Sequence, residues 1–132
     1  MSIMGREAFE AAARTGDMDG LSAALAPDVV FRGPAFPDEM VGRDRVCTIL
    51  AAAFGKVYRD FEYTIVVVGA ARTVLLFTAR VGEHLMEGAQ VLGFDADDLV
   101  SELVVMVRPA PAAIALGQAI LAALGLDSAS QA

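Results

Sequence analysis

Few side chains in this sequence are able to do chemistry: 132 residues hold one histidine, one cysteine and two tyrosines. With His84 the single histidine, a paired-histidine metal site is excluded. What remains for His84 is work as a catalytic general base, and that needs a positioned substrate and an orienting partner; a partly exposed turn residue is the plainer expectation. Cys47 lies in a helical pattern, where a small buried hydrophobe is expected, and no local signature supplies the base a catalytic thiol needs. Tyr58 and Tyr63 can offer hydroxyls to a ligand or simply pack. Asp95, Asp97 and Asp98 lack the glycine and distal glutamate of a calcium loop, so they read as a solvated turn, with no metal and no cofactor expected. Gln90 stands apart as an amide inside an apolar run, able to hydrogen-bond but without a useful pKa.

His84 and Gln90 both fall in the stretch His84 to Pro109, which reads as two long strands joined by the acidic turn Asp95-Ala96-Asp97-Asp98. Pairing Phe94 with Leu99 sets Gln90 opposite Leu103 and Gly88 opposite Val105. Alternation then places His84, Met86, Gly88, Gln90 and Leu92 on one face with Ser101, Leu103, Val105 and Val107. The other face carries Leu85, Ala89, Val91, Val100, Val104 and Met106, interrupted by Glu87, Glu102 and Arg108. Both faces are largely apolar, so both need covering. A Gly82-Glu83 hairpin pairs Val81 with His84 and brings Leu75, Phe77 and Ala79 onto the Gln90 face. Gly88 faces inward in mid-strand, which leaves space or admits another group.

The remaining elements are helices and one short strand. Residues 3–14 predict a first helix with Phe9, Ala12 and Ala13 on one side. Asp17 caps a short second helix running to about Leu25, and Pro27 stops it. Residues 28–32 read as a strand, followed by an irregular loop around Pro34 and Pro37. Val46, Ile49, Leu50, Ala53 and Phe54 form an apolar stripe on a third helix, residues 43–54. Strands are expected over 58–68 and 73–81, an Ala-rich helix over 112–124, and a frayed tail at Asp127–Ala132. The order predicts a single α+β domain over residues 1–132, a strongly curved antiparallel or mixed sheet wrapping a helix, with N-terminal helices and a C-terminal helix. Hydrophobic residues at 56% and charged residues at 20% argue against disorder. A net charge of −7 with scattered acids speaks against nucleic acid or an anionic membrane as partner. The N-terminus lacks a signal-peptide pattern and no apolar run reaches membrane-spanning length, so a cytoplasmic protein is expected.

Four stretches, in order, resemble the nuclear transport factor 2-like superfamily and especially its SnoaL-like, polyketide-cyclase-like branch. They are Thr15-Gly16-Asp17-Met18-Asp19-Gly20-Leu21, Leu25-Ala26-Pro27-Asp28-Val29-Val30-Phe31, Val41-Gly42-Arg43-Asp44-Arg45-Val46 and Gly93-Phe94-Asp95-Ala96-Asp97-Asp98-Leu99-Val100-Ser101-Glu102-Leu103. The resemblance covers about residues 5–109 and implies a conical α+β barrel, commonly a homodimer, with a pocket between sheet and long helix. Steroid isomerases of this superfamily use a tyrosine and two aspartates at positions that align with Phe9, Gly33 and Gln90, so none of the three functional groups is present. The cyclases' acid/base aspartate also falls near Gln90, and the inward face offers nothing like the arginine and two aspartates of the epoxide hydrolases.

The expected function is therefore binding of a small apolar or weakly polar molecule in a pocket lined by Phe9, Phe31, Leu50, Phe54, Leu75, Phe77, Met86, Gly88, Gln90, Leu103 and Val105, the bland alternative being that these residues are simply core. A homodimer contact is expected at Val91, Val100, Glu102, Val104 and Met106. The alternatives are a cyclase-like or isomerase-like enzyme using His84 or a tyrosine, and a dimeric, non-catalytic interaction module.

Overall fold

The computed structural model describes residues 3–126, so the expectation of a frayed tail at Asp127–Ala132 lies outside the described residues. Helix α1 (Ile3–Thr15) buries Phe9, Ala12 and Ala13. Asp17 caps α2 (Met18–Ala24) by accepting from the Gly20 amide at 2.9 Å, which satisfies one of the donors left open at a helix start. The chain is extended from Leu25, three residues before the expected strand, and β1 (Leu25–Arg32) carries Pro27 exposed to solvent. The two-residue strand β2 (Met40–Val41) pairs antiparallel with β1 and has too little sequence to be read from pattern.

Helix α3 (Arg43–Ala52) buries Val46, Ile49 and Leu50 as its stripe requires. Its first residue is tied to β1, because the Arg43 Nε and Nη2 donate to the Leu25 carbonyl at 3.0 and 2.8 Å. Beyond Ala52 the helix does not stop at Gly55 but widens into a π-helical turn, Ala53–Val57. Strands β3 (Arg59–Val68), β4 (Arg72–Val81), β5 (His84–Phe94) and β6 (Val100–Arg108) follow, and α4 (Ala110–Ala123) closes the fold, burying Ala112, Leu116 and Ile120 at four-residue intervals. The sheet is six-stranded, in order β2-β1-β6-β5-β4-β3, mixed because β1 runs parallel to β6, and open because β2 and β3 end it. The sheet curves into an open cone, as expected, with the helices against its concave face. Among the described residues no helix is long and apolar enough to cross a membrane.

Pairing of β4 with β5 follows the expected register: Val81 faces His84, Phe77 faces Gly88 and Leu75 faces Gln90. Pairing of β5 with β6 differs from expectation by two residues, since Gln90 faces Val105 and Gly88 faces Val107. Two local events cause this. The turn closes one residue wider, with Phe94 opposite Val100, and Ser101 is then an extra residue before Gly93 meets Glu102. Each event moves the register by one, so the faces of Leu103 and Val105 are unchanged. Val100 lies between the two, and its orientation reverses: it is fully buried, which corrects its assignment to the outer contact surface.

Of the two expectations for Gly88, space or an admitted group, the second holds. No space is left beside it: a Cβ there would sit 2.3 Å from the tip of the Phe77 ring, so the missing side chain is what admits that ring. Gly88→Ala should therefore destabilise the fold by about 1–3 kcal/mol through overpacking. Shortening the clashing ring in Gly88→Ala/Phe77→Leu should recover part of the loss. Urea unfolding of the two variants against the parent tests this; an unchanged midpoint for Gly88→Ala would mean that Phe77 moves aside freely.

Candidate functional site

The acidic turn is structural. Asp95 accepts from the Asp97 and Leu99 amides at 2.9 and 3.1 Å, and Asp98 accepts from the Gly5 amide at 3.0 Å, pinning the start of α1 to the β5–β6 turn. Among the described residues no group of three or more His, Cys, Asp or Glu side chains is placed to hold a metal ion. His84 is exposed beside the Gly82-Glu83 turn. Six residues separate it from Gln90 along β5, roughly 20 Å at ~3.3 Å per residue, so the structure does not bring the two together.

Gln90 is enclosed. It lies on the concave face of β5 between Leu75 on β4 and Val105 on β6, with 1% of its surface exposed. Its partner is one that sequence reasoning left among the packing aromatics. Tyr63, on β3, faces Phe77 across the β3–β4 ladder, and its hydroxyl reaches past β4 to donate to Gln90 Oε1 at 2.6 Å. The signal was parity: Tyr63 alternates with the exposed Glu62 and Thr64, and Phe77 fixes its face. A buried amide or hydroxyl left without a partner costs about 1–3 kcal/mol, and this pair satisfies one group with the other. Because Oε1 is taken, the free donor of Gln90 is its Nε2.

Aromatic rings surround the pair. Phe61 meets Tyr63 edge-on at 4.9 Å and stacks on Phe77 at 4.8 Å, while Phe54 and Tyr58 close the cluster at 5.2 Å. Phe54, Tyr58 and Phe61 remain partly exposed and form the outer rim. The Arg14 guanidinium lies 5.4 Å from the Tyr63 ring centre, a cation–π contact, and Glu10 holds Arg14 there. Phe9, Phe31, Leu50, Leu75, Phe77, Met86, Leu103 and Val105 are all buried in the same cluster, packed against one another. Clefts of about 350–560 Å³ open at the periphery, for instance beside Arg72 and Asp95 and beside Pro34 and Val104; Gln90 lines none of these.

Electrostatically this interior holds neutral donors. Buried polar residues are Thr73 and Gln90, and no carboxylate is buried among the described residues. Burial, with Glu10 and Tyr58 adding to it, pushes the Tyr63 hydroxyl far above its ordinary range against the smaller opposing effects of Gln90 and Arg14. Burial also raises Tyr58. Both therefore keep their protons at neutral pH, and the Tyr63 hydroxyl is a hydrogen-bond donor, not a base.

On the convex face Glu102 joins two arginines, Arg32 Nη2 at 3.2 Å and Arg72 Nη2 at 2.8 Å. Leu85 and Met106 are exposed on this face, and Val91 and Val104 are half-buried.

The tyrosine environment has a measurable consequence. The unfolded chain releases its tyrosine protons near pH 10, and the folded chain holds both well above that value. Stability should be level across neutral pH and fall once the pH exceeds 10, because only the unfolded state then loses protons. With two tyrosines in the chain, alkaline titration followed by tyrosinate absorbance and circular dichroism should show both signals changing together. Tyrosinate forming in a chain that keeps its native dichroism would contradict the burial.

Comparison with known proteins places this geometry. The model of the SnoaL-like domain matches residues 6–103. A steroid delta-isomerase structure from Pseudomonas aeruginosa is 32% identical, with a TM-score of 0.88 over 94% of this chain and 91% of that one. An uncharacterised protein with a cystatin-like fold from Silicibacter pomeroyi is 27% identical, with a TM-score of 0.85 over 92% and 85% of the two chains. An NTF2-like protein of unknown function from Cytophaga hutchinsonii shares the fold at 15% identity, with a TM-score of 0.66 over 84% and 93%. No curated protein matches the chain. On the extent of the family match and the likeness to the Pseudomonas structure, the chain belongs to the SnoaL-like domain family of the NTF2-like superfamily.

Proposed function

We propose that the protein binds a small, mainly apolar molecule carrying a hydrogen-bond acceptor, held on the concave face of the sheet, and that it does not move protons on it. The observation that carries this reading is the Tyr63–Gln90 pair inside an otherwise apolar interior. Tyr63 fixes the amide so that Gln90 Nε2 is free to donate to a ligand carbonyl or ether oxygen. Access requires the rim rings Phe54, Tyr58 and Phe61 to swing outward, since Phe77 fills the space beside Gly88.

A second reading, an isomerase, has one observation in its favour: the 32% identical Pseudomonas relative is a steroid delta-isomerase. Against it stand Phe9, Gly33 and Gln90 at the positions that align with the isomerase groups, and the lack of a buried carboxylate among the described residues to shuttle a proton. The relative does make a ketosteroid the first probe to try. Calorimetric titration should detect the ketosteroid, with weaker binding of the analogue in which CH2 replaces the ketone. Gln90→Leu should lose about tenfold in affinity for the ketone, the worth of one hydrogen bond, and should erase the preference between the two. Double-bond migration should not exceed the buffer rate. Failure of the native protein to bind either steroid would count against the steroid class, and a preference unchanged in Gln90→Leu would sink the role of Gln90.

The convex face is proposed as a homodimer contact through Val91, Val104 and Met106, with Glu102 at its margin. Apolar area of this extent on a sheet surface is normally covered. Val104→Lys should lower the mass in sedimentation velocity to that of the monomer while leaving the fold intact; a parent protein that is already monomeric at micromolar concentration would overturn the contact.

A further inference from the structure

The five aromatic rings beside Gln90 are unequally held. Phe61 touches all four of the others: it stacks on Phe77 at 4.8 Å and meets Tyr63, Phe54 and Tyr58 at 4.9, 5.0 and 5.2 Å. Tyr63 and Phe77 are partners in the β3–β4 ladder, and both are buried. Phe54 and Tyr58 flank the π-helical turn, which the Tyr58 amide closes by donating to the Ala53 carbonyl at 2.8 Å. Phe61 has no ladder partner. Arg59 pairs with Arg80 and Glu62 with Thr78, so Asp60 and Phe61 together stand opposite Ala79 alone, a bulge in the strand that ends the sheet. Asp60 has a φ of 53°, a left-handed conformation uncommon outside glycine. One exposed ion pair spans the bulge, Asp60 Oδ2 to Arg80 Nε at 3.5 Å. Phe61 itself is partly exposed. The ring with the most aromatic contacts is thus carried by the least tethered backbone in the cluster.

We propose that Phe61 is a plug: it occupies the place that a ring of the ligand takes, and it leaves when the bulge Asp60–Phe61 turns outward. This rests on the concave-face binding proposed above and goes beyond it by assigning control of entry to one residue. Phe54 and Tyr58 both lean on the Phe61 ring and are free to turn once it has gone. Moving Phe61 breaks no pair of the β3–β4 ladder, because a bulged residue is outside it. Its departure uncovers the rings of Phe77 and Tyr63, now 1 and 8% exposed, and Tyr63 holds Gln90 through its hydroxyl. Turning Phe54 alone would not do so, since among the described rings it meets only Tyr58 and Phe61. In the closed form the plug makes the stacked and edge-on contacts that a ligand ring would make. It is a competitor built into the chain, and it lowers the measured affinity to the fraction of molecules in which it is out.

Two measurements test the plug, and the first needs no ligand. Incorporation of para-fluorophenylalanine gives the chain seven fluorine reporters, and the Phe61 signal is assigned by its loss in Phe61→Leu. That signal should exchange between a buried and a solvent-exposed environment while the Phe77 signal stays single. Arg80→Gln, which cuts the tie to Asp60, should raise the exposed fraction. A Phe61 signal with one buried environment, in the parent and in Arg80→Gln alike, would overturn the plug whether or not any steroid binds. The second measurement uses the ketosteroid as probe. Phe61→Ala should bind it about tenfold more tightly than the parent, because no ring has to leave first, and the gentler Phe61→Leu should change in the same direction. A ring that only lines the site predicts the opposite sign. Weaker binding in both variants would therefore sink the plug and leave the Gln90 contact standing. Ketosteroid binding by neither the parent nor Phe61→Ala counts against the steroid reading, and the fluorine signal then decides the plug by itself.

Discussion

Alternation along β5 is the constraint on which the rest of the structure depends. This strand is hydrogen-bonded to β4 on one side and β6 on the other for most of its length. A side chain on it therefore has no third option: it enters the core or faces outward. A slip of one residue would bring Gln90 out and drive Glu87 and Val91 in. Glu87 then would be an unpaired buried carboxylate, far costlier than the neutral amide that occupies the interior now. The register is thus enforced by what each wrong choice would bury, and the position of the interior amide follows from it.

Much of this was legible in the sequence because period-two patterns survive even register shifts. The β4–β5 hairpin was readable outright, since Gly82-Glu83 fixes a two-residue turn and leaves no freedom. The β5–β6 hairpin was readable for faces but not for partners. The Asp95 carboxylate closes the acidic turn locally by accepting from the Asp97 and Leu99 amides, but the Asp98 carboxylate accepts from the Gly5 amide of α1, and no local pattern encodes that tie to a helix 93 residues away. Val100 was misplaced for that reason. Gly88 was legible only as a choice: a glycine on the concave face marks a close approach as readily as a void, and the position of Phe77 decides for the first. The Tyr63–Gln90 hydrogen bond spans three strands, so it required the tertiary arrangement, although each residue's face was predictable alone.

The interior gains its chemical character from what is neutral in it. A carboxylate among these rings would be raised in pKa by desolvation and would be equipped to exchange a proton. An amide in its place keeps the hydrogen-bonding geometry and gives up the proton transfer. Tyr63 cannot compensate, because the same burial that positions its hydroxyl also holds its proton. In the proposed role the amide keeps recognition of an acceptor atom and gives up acid–base catalysis. The family fold is therefore compatible with both roles, and the difference lies in a few side chains on a common frame.

Surface and interior are linked through the same strands. The helices cover the concave face, so apolar side chains of that parity are buried from β1 to β5; the convex parity has no such cover within one chain. Where α1 stops reaching across β3, even the concave parity is left bare: Val68 is exposed as fully as its convex neighbours, and Val66 is exposed too, though less. The run Ile65–Val68, apolar on both faces, has the pattern of a central strand, yet β3 is at the edge. The sequence of β3 is consistent with a strand that has a neighbour on each side, and within one chain it has only one.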